Sequence, residues 1–266
     1  MVYNPSTFKK ILCVLLKNKY QFVDFEQFLL IKCRKNKRIV ILRHDIDYLP
    51  QAAVDIALIE KELGVTGSYF FQVRSPFYNI FVRKNVQAVE TISQLGHTVG
   101  LHFYTHDLGN VSLRAINTSL NKEYGILSSY FPFVRPVVSF HNPPSELLER
   151  ISGSTRFGNF VVSYEERFFR KLRYISDSDM SFCFDRFNKS ISEGNCESMQ
   201  LLLHPFLWIS EMSSLVKTLK WVYMQQMQSF ENALRDENRK WARTERPEWS
   251  LLDTFLKTIK LEKEDE

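Results

Sequence analysis

Histidines and aspartates gather at the ends of short apolar segments in this 266-residue chain. The apolar run IVIL (39–42) is followed by Arg43, Asp45 and Asp47. Five of the six histidines lie at such ends: His44, His102, His106, His141 and His204. Imidazoles and carboxylates bind zinc and transfer protons in proteins, so this clustering predicts a metal-dependent or acid–base catalytic site.

Asp45 and Asp47 are two residues apart, a spacing that puts both side chains on one face of a strand. Two neighbouring negative charges are costly unless a cation or a shared proton lies between them. We therefore expect a divalent metal here, with one carboxylate as a ligand and the other as a base. A salt bridge from Arg43 on the same face, or a simple turn at the strand end, is the alternative interpretation.

His102 and His106 can share a metal only if the chain turns after His102. In an extended strand the two rings would lie roughly 13 Å apart, whereas a helical turn would bring them within about 6 Å. The spacing alone often occurs by chance, but one aspartate, two histidines and an open fourth position form a catalytic zinc site. We predict this set, with the strand ending at His102.

The remaining polar residues have both structural and functional interpretations. His204 precedes a proline and either acts in catalysis or caps its strand. We predict that His141 and Asn142 line the pocket and bind substrate; the alternative is that they stabilise the proline turn that follows them. His97 is expected to form a loop hydrogen bond. His44 should point away from the face of Asp45 and pack in the core.

The elements that must position these residues alternate between strand and helix. Strands are predicted at 39–42, 68–73, 98–103, 136–140, 160–164, 173–176 and 199–204. Helices are predicted within 6–31 with Ser6 as N-cap, at 51–63 closed by Gly64, at 81–95, at 111–131, and over roughly 30 residues from Ser210. This alternation favours parallel βαβ units, in which chemistry gathers at the carboxyl ends of the strands.

No linker rich in Gly, Ser or Pro divides the chain. We predict a single α/β domain over 1–266, an irregular (β/α) barrel of about seven parallel strands. The barrel occupies 38–206, between an N-terminal helical segment (1–37) and a C-terminal helical segment (207–266).

Composition narrows the class of partner and the compartment. The net charge of +5 includes a basic stretch at 32–38, which is either a solvated turn or a contact for an acidic partner. No nucleic-acid-binding motif accompanies it. The four cysteines show no CxxC pair, as expected of free thiols in a reducing compartment. The apolar N-terminal stretch is too short for a signal peptide or membrane span. We expect a cytoplasmic protein, with peripheral contact to the inner membrane face as a further option.

Three motifs resemble the polysaccharide deacetylase superfamily, the NodB-homology domain of carbohydrate esterase family 4. They are DID (45–47), GHTVGLHFYTH (96–106) and LLHP (202–205). The resemblance covers about residues 38–206, and the long histidine motif is its most specific part. The run RHDID (43–47) is similar to a branch carrying RHDVD, which is associated with lipopolysaccharide or capsule biosynthesis.

The resemblance implies a role for each of these residues. Asp47, His102 and His106 would be the metal ligands, Asp45 the general base and His204 the general acid. Asp177 or Asp179 would orient His204. The metal would be zinc, with Co²⁺, Ni²⁺ or Mn²⁺ as alternatives. The implied activity is hydrolysis of an N-acyl group, an N-acetyl above all, on an amino sugar, nucleotide-sugar or glycan precursor.

The sequence departs from the family pattern mainly at the substrate pocket. RHDID replaces TFDDG, Phe103 replaces the usual Ser or Thr, and HNPP (141–144) occupies the strand end of the family's RxPYG. Two alternative functions therefore stay open. One is hydrolysis of another C–N or ester bond, such as a formamide, ureide or O-acetyl group. The other is a catalytically silent glycan-binding domain, against which the presence of both Asp45 and His204 counts.

Overall fold

The computed structural model describes residues 3–32, 37–105, 112–153, 157–194 and 198–237. Contacts divide the chain into two compact units, Met1–Ser213 and Ser214–Glu266. The first unit contains the sheet and every candidate residue named above. In the described part of the second unit the chain forms one long helix. No helix among the described residues has both the length and the apolar character needed to span a lipid bilayer.

One parallel sheet forms the centre of the first unit. Its strands are β1 (Gln21–Phe22), β2 (Ile39–Ile46), β3 (Ser68–Phe71), β4 (Thr98–Tyr104), β5 (Val137–His141), β6 (Val161–Val162), β7 (Arg173–Ser176) and β8 (Ser198–Leu202). They pair in the order β6-β5-β4-β3-β2-β8-β7, and β1 adds to the start of β2. The seven predicted strands and the barrel-like α/β fold are confirmed. The sheet curls as a half-barrel whose edges are β6 and β7, and β1 is an additional strand.

Helices connect the strands. They are α1 (Pro5–Lys17), α2 (Phe25–Leu30), α3 (Pro50–Glu62), α4 (Arg83–Gln94), α5 (Leu113–Tyr130), α6 (Ser145–Ser152), α7 (Glu166–Phe169), α8 (Phe184–Ser192), α9 (Pro205–Ile209) and α10 (Leu215–Glu237). The predictions for α3, α4 and α5 are confirmed. The predicted N-cap Ser6 is wrong, because Asn4 caps α1 by accepting from the Thr7 amide at 2.7 Å. Pro5 takes the first helical position, where its missing N–H costs nothing.

The predicted start of the final helix, at Ser210, is also wrong. α9 ends at Ile209, and α10 begins at Leu215. Residues beyond 237 lie outside the described part of the chain.

Strand β2 is buried along its whole length, as its continuous apolar run predicted. Part of the aromatic content packs beneath it. The ring of Phe25 lies 5.9 Å from Phe70 and 5.0 Å from Phe168, edge to face in both cases. Full burial of one such side chain stabilises the fold by about 1.5–3 kcal/mol.

Close packing explains why the long histidine motif has a glycine at position 100. A Cβ at this position would lie 2.5 Å from the Val137 carbonyl oxygen and 2.8 Å from the Phe70 ring. Only glycine lets β4 pass this close to its neighbours. The motif therefore fixes the position of β4, and with it the position of His102 two residues later.

Candidate active site

Three side chains converge at the carboxyl ends of the parallel strands. Asp47 follows β2, His102 lies on β4 and His141 ends β5. Asp47 Oδ1 is 3.1 Å from His102 Nε2 and 3.0 Å from His141 Nδ1. The two ring nitrogens are 3.2 Å apart. The three donor atoms thus form a small, nearly equilateral triangle.

This triangle fits a small divalent cation. Ligand atoms around a tetrahedral zinc, at about 2.0–2.1 Å from the metal, are separated by roughly 3.3 Å. Two imidazole nitrogens and one carboxylate oxygen are also ligands that zinc accepts. His102 Nδ1 lies 3.2 Å from the Ser139 carbonyl oxygen. Its hydrogen bond to that carbonyl would leave the Nε2 lone pair free for a metal.

The structure adds His141 to the set, and β4 is longer than predicted. We predicted that the strand would end at His102, but β4 continues to Tyr104. Phe103 is fully buried in the core, and Tyr104 pairs with His141 in the ladder of β4 and β5. His141 therefore lies diagonally opposite His102 on the same face, close enough for both rings to bind one metal ion. The predicted ligand His106 lies outside the described residues.

Asp47 is ionised in this setting. Burial alone would raise the pKa of Asp47, but the hydrogen bonds from His102 and His141 and the charge of His204 lower it far below its usual range. A metal ligand must be deprotonated, so the environment of Asp47 suits such a role.

Asp45 lies deeper in the half-barrel and is held by Arg43. The guanidinium binds both carboxylate oxygens, with Nε 3.0 Å from Oδ1 and Nη2 2.7 Å from Oδ2. The Ser139 hydroxyl donates to Oδ2 at 2.9 Å. Burial raises the pKa of Asp45, but the charge and hydrogen bond of Arg43 and the charges of His102 and His204 together outweigh it and lower the pKa to about 2. The alternative interpretation of Arg43, a salt bridge on the same face, is thus realised in the fold.

His204 pairs with Asp177. His204 Nδ1 is 2.6 Å from Asp177 Oδ1, and the His204 amide donates to Oδ2 at 2.8 Å. The Trp208 indole donates to the same Oδ2 at 2.8 Å. Of the two carboxylates that we considered for orienting His204, Asp177 makes these contacts, whereas Asp179 is exposed to solvent.

The His204 ring faces Asp47 across the site. Its Nε2 is 3.7 Å from Asp47 Oδ2. Burial lowers the pKa of His204, but the charge and hydrogen bond of Asp177 and the charge of Asp47 outweigh it and raise the pKa to about 9. His204 is therefore protonated at neutral pH and can donate a proton at Nε2.

The other wall of the site follows β5. The His141 ring stacks on Tyr104 at 5.5 Å, and the Thr105 hydroxyl donates to the His141 carbonyl at 2.6 Å. Asn142 adopts a left-handed backbone with φ of 42°, and its amide nitrogen is 3.4 Å from His141 Nε2. We expected His141 and Asn142 to contact substrate, but the geometry places His141 in the donor triangle. For Asn142 substrate contact stays a prediction.

Sequence reasoning missed several residues that support the site. Ser139 contacts Asp45 and His102, Tyr164 accepts from Arg43 Nη2 at 2.9 Å, and Gln200 Oε1 lies 3.3 Å from Arg43 Nη1. Ser139 and Gln200 each interrupt an apolar strand. A polar residue inside a buried strand needs a partner, and that signal was available in the sequence.

Among the solved structures similar to this chain are members of carbohydrate esterase family 4. The chitin deacetylase of Colletotrichum lindemuthianum is 15% identical with a TM-score of 0.42, over 70% of this chain and 81% of that one. The Bc1960 peptidoglycan N-acetylglucosamine deacetylase is 18% identical with a TM-score of 0.43, over 73% of this chain and 84% of that one.

A family 4 pseudoenzyme is also similar. BA3943 from Bacillus anthracis is 15% identical with a TM-score of 0.42, over 73% of this chain. This chain spans 62% of the BA3943 chain, which is less than two thirds of it. A scan against models of protein families finds no match, and neither does a search of curated proteins. The motifs of this chain resemble the polysaccharide deacetylases of carbohydrate esterase family 4, and members of that family are among the solved structures similar to it.

Proposed function

We propose that the protein is a metal-dependent hydrolase that removes an N-acyl group, foremost an N-acetyl group, from an amino sugar or glycan precursor. One observation carries the proposal: beside the donor triangle of Asp47, His102 and His141, the Nε2 of the protonated His204 ring lies 3.7 Å from the second carboxylate oxygen of Asp47. A cation site beside a proton donor is the arrangement that amide hydrolysis needs.

Asp47, His102 and His141 would hold the metal, with His106 as a further predicted ligand. Zinc suits this donor set best, with Co²⁺, Ni²⁺ or Mn²⁺ as alternatives. When bound, the metal would polarise the acyl carbonyl and lower the pKa of a water molecule.

The protein's own groups would move the protons. Asp45 is ionised and lies on the same face of β2 as Asp47, so it is the candidate general base. The water oxygen forms the new C–O bond, and Asp45 takes one water proton. His204 Nε2–H protonates the departing nitrogen as the C–N bond breaks. Asp177 holds the His204 ring in this orientation through the bond to Nδ1. The products are a carboxylate and a free amine.

The run RHDID supports a substrate in cell-surface polysaccharide biosynthesis, such as a nucleotide-sugar or an unfinished glycan. A protein that acts on such precursors would work in the cytoplasm, before export, with or without contact to the inner membrane face.

The activity is tested on zinc-loaded protein with UDP-N-acetylglucosamine, chitin oligomers and soluble peptidoglycan fragments. Acetate and free amine should appear in equal amounts, and the His204→Gln variant with the same zinc content should release neither. Absence of acetate from every N-acetyl substrate, together with turnover of N-formyl or O-acetyl analogues, would move the activity to another acyl group.

A second candidate is binding of an acylated glycan without turnover. It is favoured by the pairing of Asp45, since both of its oxygens bind Arg43 and the residue is only 3% exposed. A carboxylate held in this way is a weak base. Saturable binding of the same sugars by zinc-loaded protein, with no release of any acyl group, would establish this candidate and exclude the hydrolase.

A further inference from the structure

A second polar cluster lies on the opposite face of β2, behind the candidate site. The His44 ring is fully buried, with Nε2 2.6 Å from Glu60 Oε1 and Nδ1 2.6 Å from the Leu203 carbonyl oxygen. We propose that His44 is a positioning residue for His204. It ties α3, through Glu60, to the residue that precedes His204. The inference rests on the proposed function in that it assigns His204 a catalytic role.

The protons of the His44 ring follow from its partners. A carbonyl oxygen only accepts hydrogen bonds, so Nδ1 must carry a proton toward Leu203. A single proton then joins Nε2 and Glu60, whichever of the two holds it. Tyr69 donates to the other oxygen of Glu60 at 2.8 Å. Glu60 is thus fixed by two bonds, and in turn it fixes the His44 ring.

Leu203 is held from both sides by consecutive residues of β2. Its amide donates to the Arg43 carbonyl at 2.9 Å, and its own carbonyl accepts from His44. β8 itself ends at Leu202. These contacts therefore fix the backbone for one residue beyond the end of β8. The next residue is His204, whose place relative to Asp47 is set by this last fixed peptide.

The cluster is built around Glu60 with little spare room. A Cβ at residue 67 would lie 2.9 Å from Glu60 Oε2 and 3.3 Å from His44 Cδ2, so a side chain there would press on both residues. His97 closes the other side, with Nδ1 accepting from the Gly67 amide at 3.1 Å and Nε2 3.2 Å from the Ala57 carbonyl. His97 thus hydrogen-bonds the backbone of the loop that contains Gly67, as predicted. Within this cluster, His44 is the residue that contacts the segment leading to His204.

Simple packing would not need a histidine at position 44. An apolar ring of similar size would fill the same space, but it would leave the Leu203 carbonyl without its side-chain donor. An unsatisfied buried carbonyl is costly, and the peptide would shift to find another partner. Such a shift moves His204, and a displacement of about 1 Å can cost on the order of 10²-fold in rate.

Two substitutions separate the two ring nitrogens of His44. In His44→Asn the amide nitrogen falls near the place of Nδ1 and can still donate to Leu203. In His44→Gln it falls near the place of Nε2 and can bond only Glu60. We expect kcat to fall less than about threefold in the Asn variant and about 30- to 100-fold in the Gln variant, the loss that misplacing a catalytic group causes. KM and zinc content should be unchanged in both.

A second measurement needs no substrate. The His204 amide is protected by its bond to Asp177, and its hydrogen exchange should accelerate in His44→Gln but not in His44→Asn. Tyr69→Phe is the matched control, since it removes a bond of Glu60 and leaves the His44–Leu203 bond in place. If the Gln variant does not fold, His44→Leu combined with Glu60→Gln removes the donor and the buried charge together.

Equal losses of kcat in the Asn and Gln variants, or unchanged exchange of the His204 amide in the Gln variant, would overturn the positioning role. If the wild-type protein turns over no acylated sugar, the proposed function fails by itself. The exchange measurement still decides the role of His44 in that case.

Discussion

The two faces of strand β2 carry polar clusters that differ in how they are completed. On the outer face, His44 and Glu60 are fully buried, and their partners all come from the protein. On the inner face, the cluster ends at Asp47, whose side chain is 13% exposed. Its donor triangle brings two imidazole nitrogens and one carboxylate oxygen together.

The difference shows how one strand can serve both structure and chemistry. A cluster that is satisfied and sealed has nothing left to offer a ligand, so its effect is on position and stability. The inner face changes along its length. Asp45 is neutralised by the fixed charge of Arg43, whereas two residues later Asp47 faces only histidines. Compensation by a metal becomes favourable at that point.

Removal of one corner of the triangle should have the largest effect on the inner face. We expect His102→Ala to lose stoichiometric zinc and to lower kcat/KM by about 10³-fold or more, since the metal contributes several kcal/mol of charge stabilisation. Elemental analysis and acetate release measure the two effects. His97→Asn, which alters a buried histidine of the sealed cluster, should keep its zinc. Stoichiometric zinc in His102→Ala would show that the triangle is not the metal site.

Loss of the carboxylate that orients the general acid should have the next largest effect on activity. In Asp177→Asn the bond to His204 Nδ1 no longer fixes the protonated ring, and kcat should fall about 10²-fold, within the range for a lost general acid. Zinc content should not change. The matched control is Asp179→Asn, an exposed carboxylate two residues later, which should stay within about twofold of wild type. The reverse pattern would assign the orienting role to Asp179.

The pH profile sharpens the same point. His204 has its pKa raised to about 9, so it is protonated below that pH and loses its proton as the pH rises through it. As an acid it is active only when protonated. We expect kcat/KM to fall tenfold per pH unit above about 9. The pKa of Asp45 is about 2, so this base should cause no loss between pH 5 and 8. If kcat/KM instead began to fall above about pH 6.5, Asp177 would not raise the pKa of His204.

The fold followed from the sequence where the pattern was long enough to have one meaning. The buried run IVIL and the period-two spacing of Asp45 and Asp47 predicted β2 and its inner face. β1 has only two residues, too few for any period, and its place is set by pairing with β2. The cap of α1 was misread because Asn4 and Ser6 are both good N-cap residues. Pro5 between them should have decided for Asn4.

The site was predictable residue by residue but not in its pairings. His102 and His204 lie near the carboxyl ends of strands that the apolar runs reveal. That His141 meets His102 depends on the register of β4 against β5, where Tyr104 pairs with His141. The register between two strands cannot be read from a single sequence. The partner of His44 was hidden for the same reason, since Glu60 lies on a helix whose rotation against the sheet is set by packing.

The smallest predicted effect concerns stability and tests the sealed face alone. Tyr69→Phe deletes the hydroxyl that donates to Glu60 at 2.8 Å in a fully buried setting. Deletion of one partner of a buried hydrogen bond costs about 1–3 kcal/mol, so the free energy of unfolding in urea should fall by that amount. Lys9→Ala breaks an exposed ion pair with Glu62 of 2.6 Å and should cost less than about 1 kcal/mol.

Neither substitution should change kcat by more than about twofold, since neither residue contacts the donor triangle or the Leu203 carbonyl. A Tyr69→Phe variant of wild-type stability would mean that Glu60 is satisfied by His44 alone. Loss of activity in Tyr69→Phe without loss of stability would mean that the Tyr69–Glu60 bond is itself needed to hold the His44 ring in place.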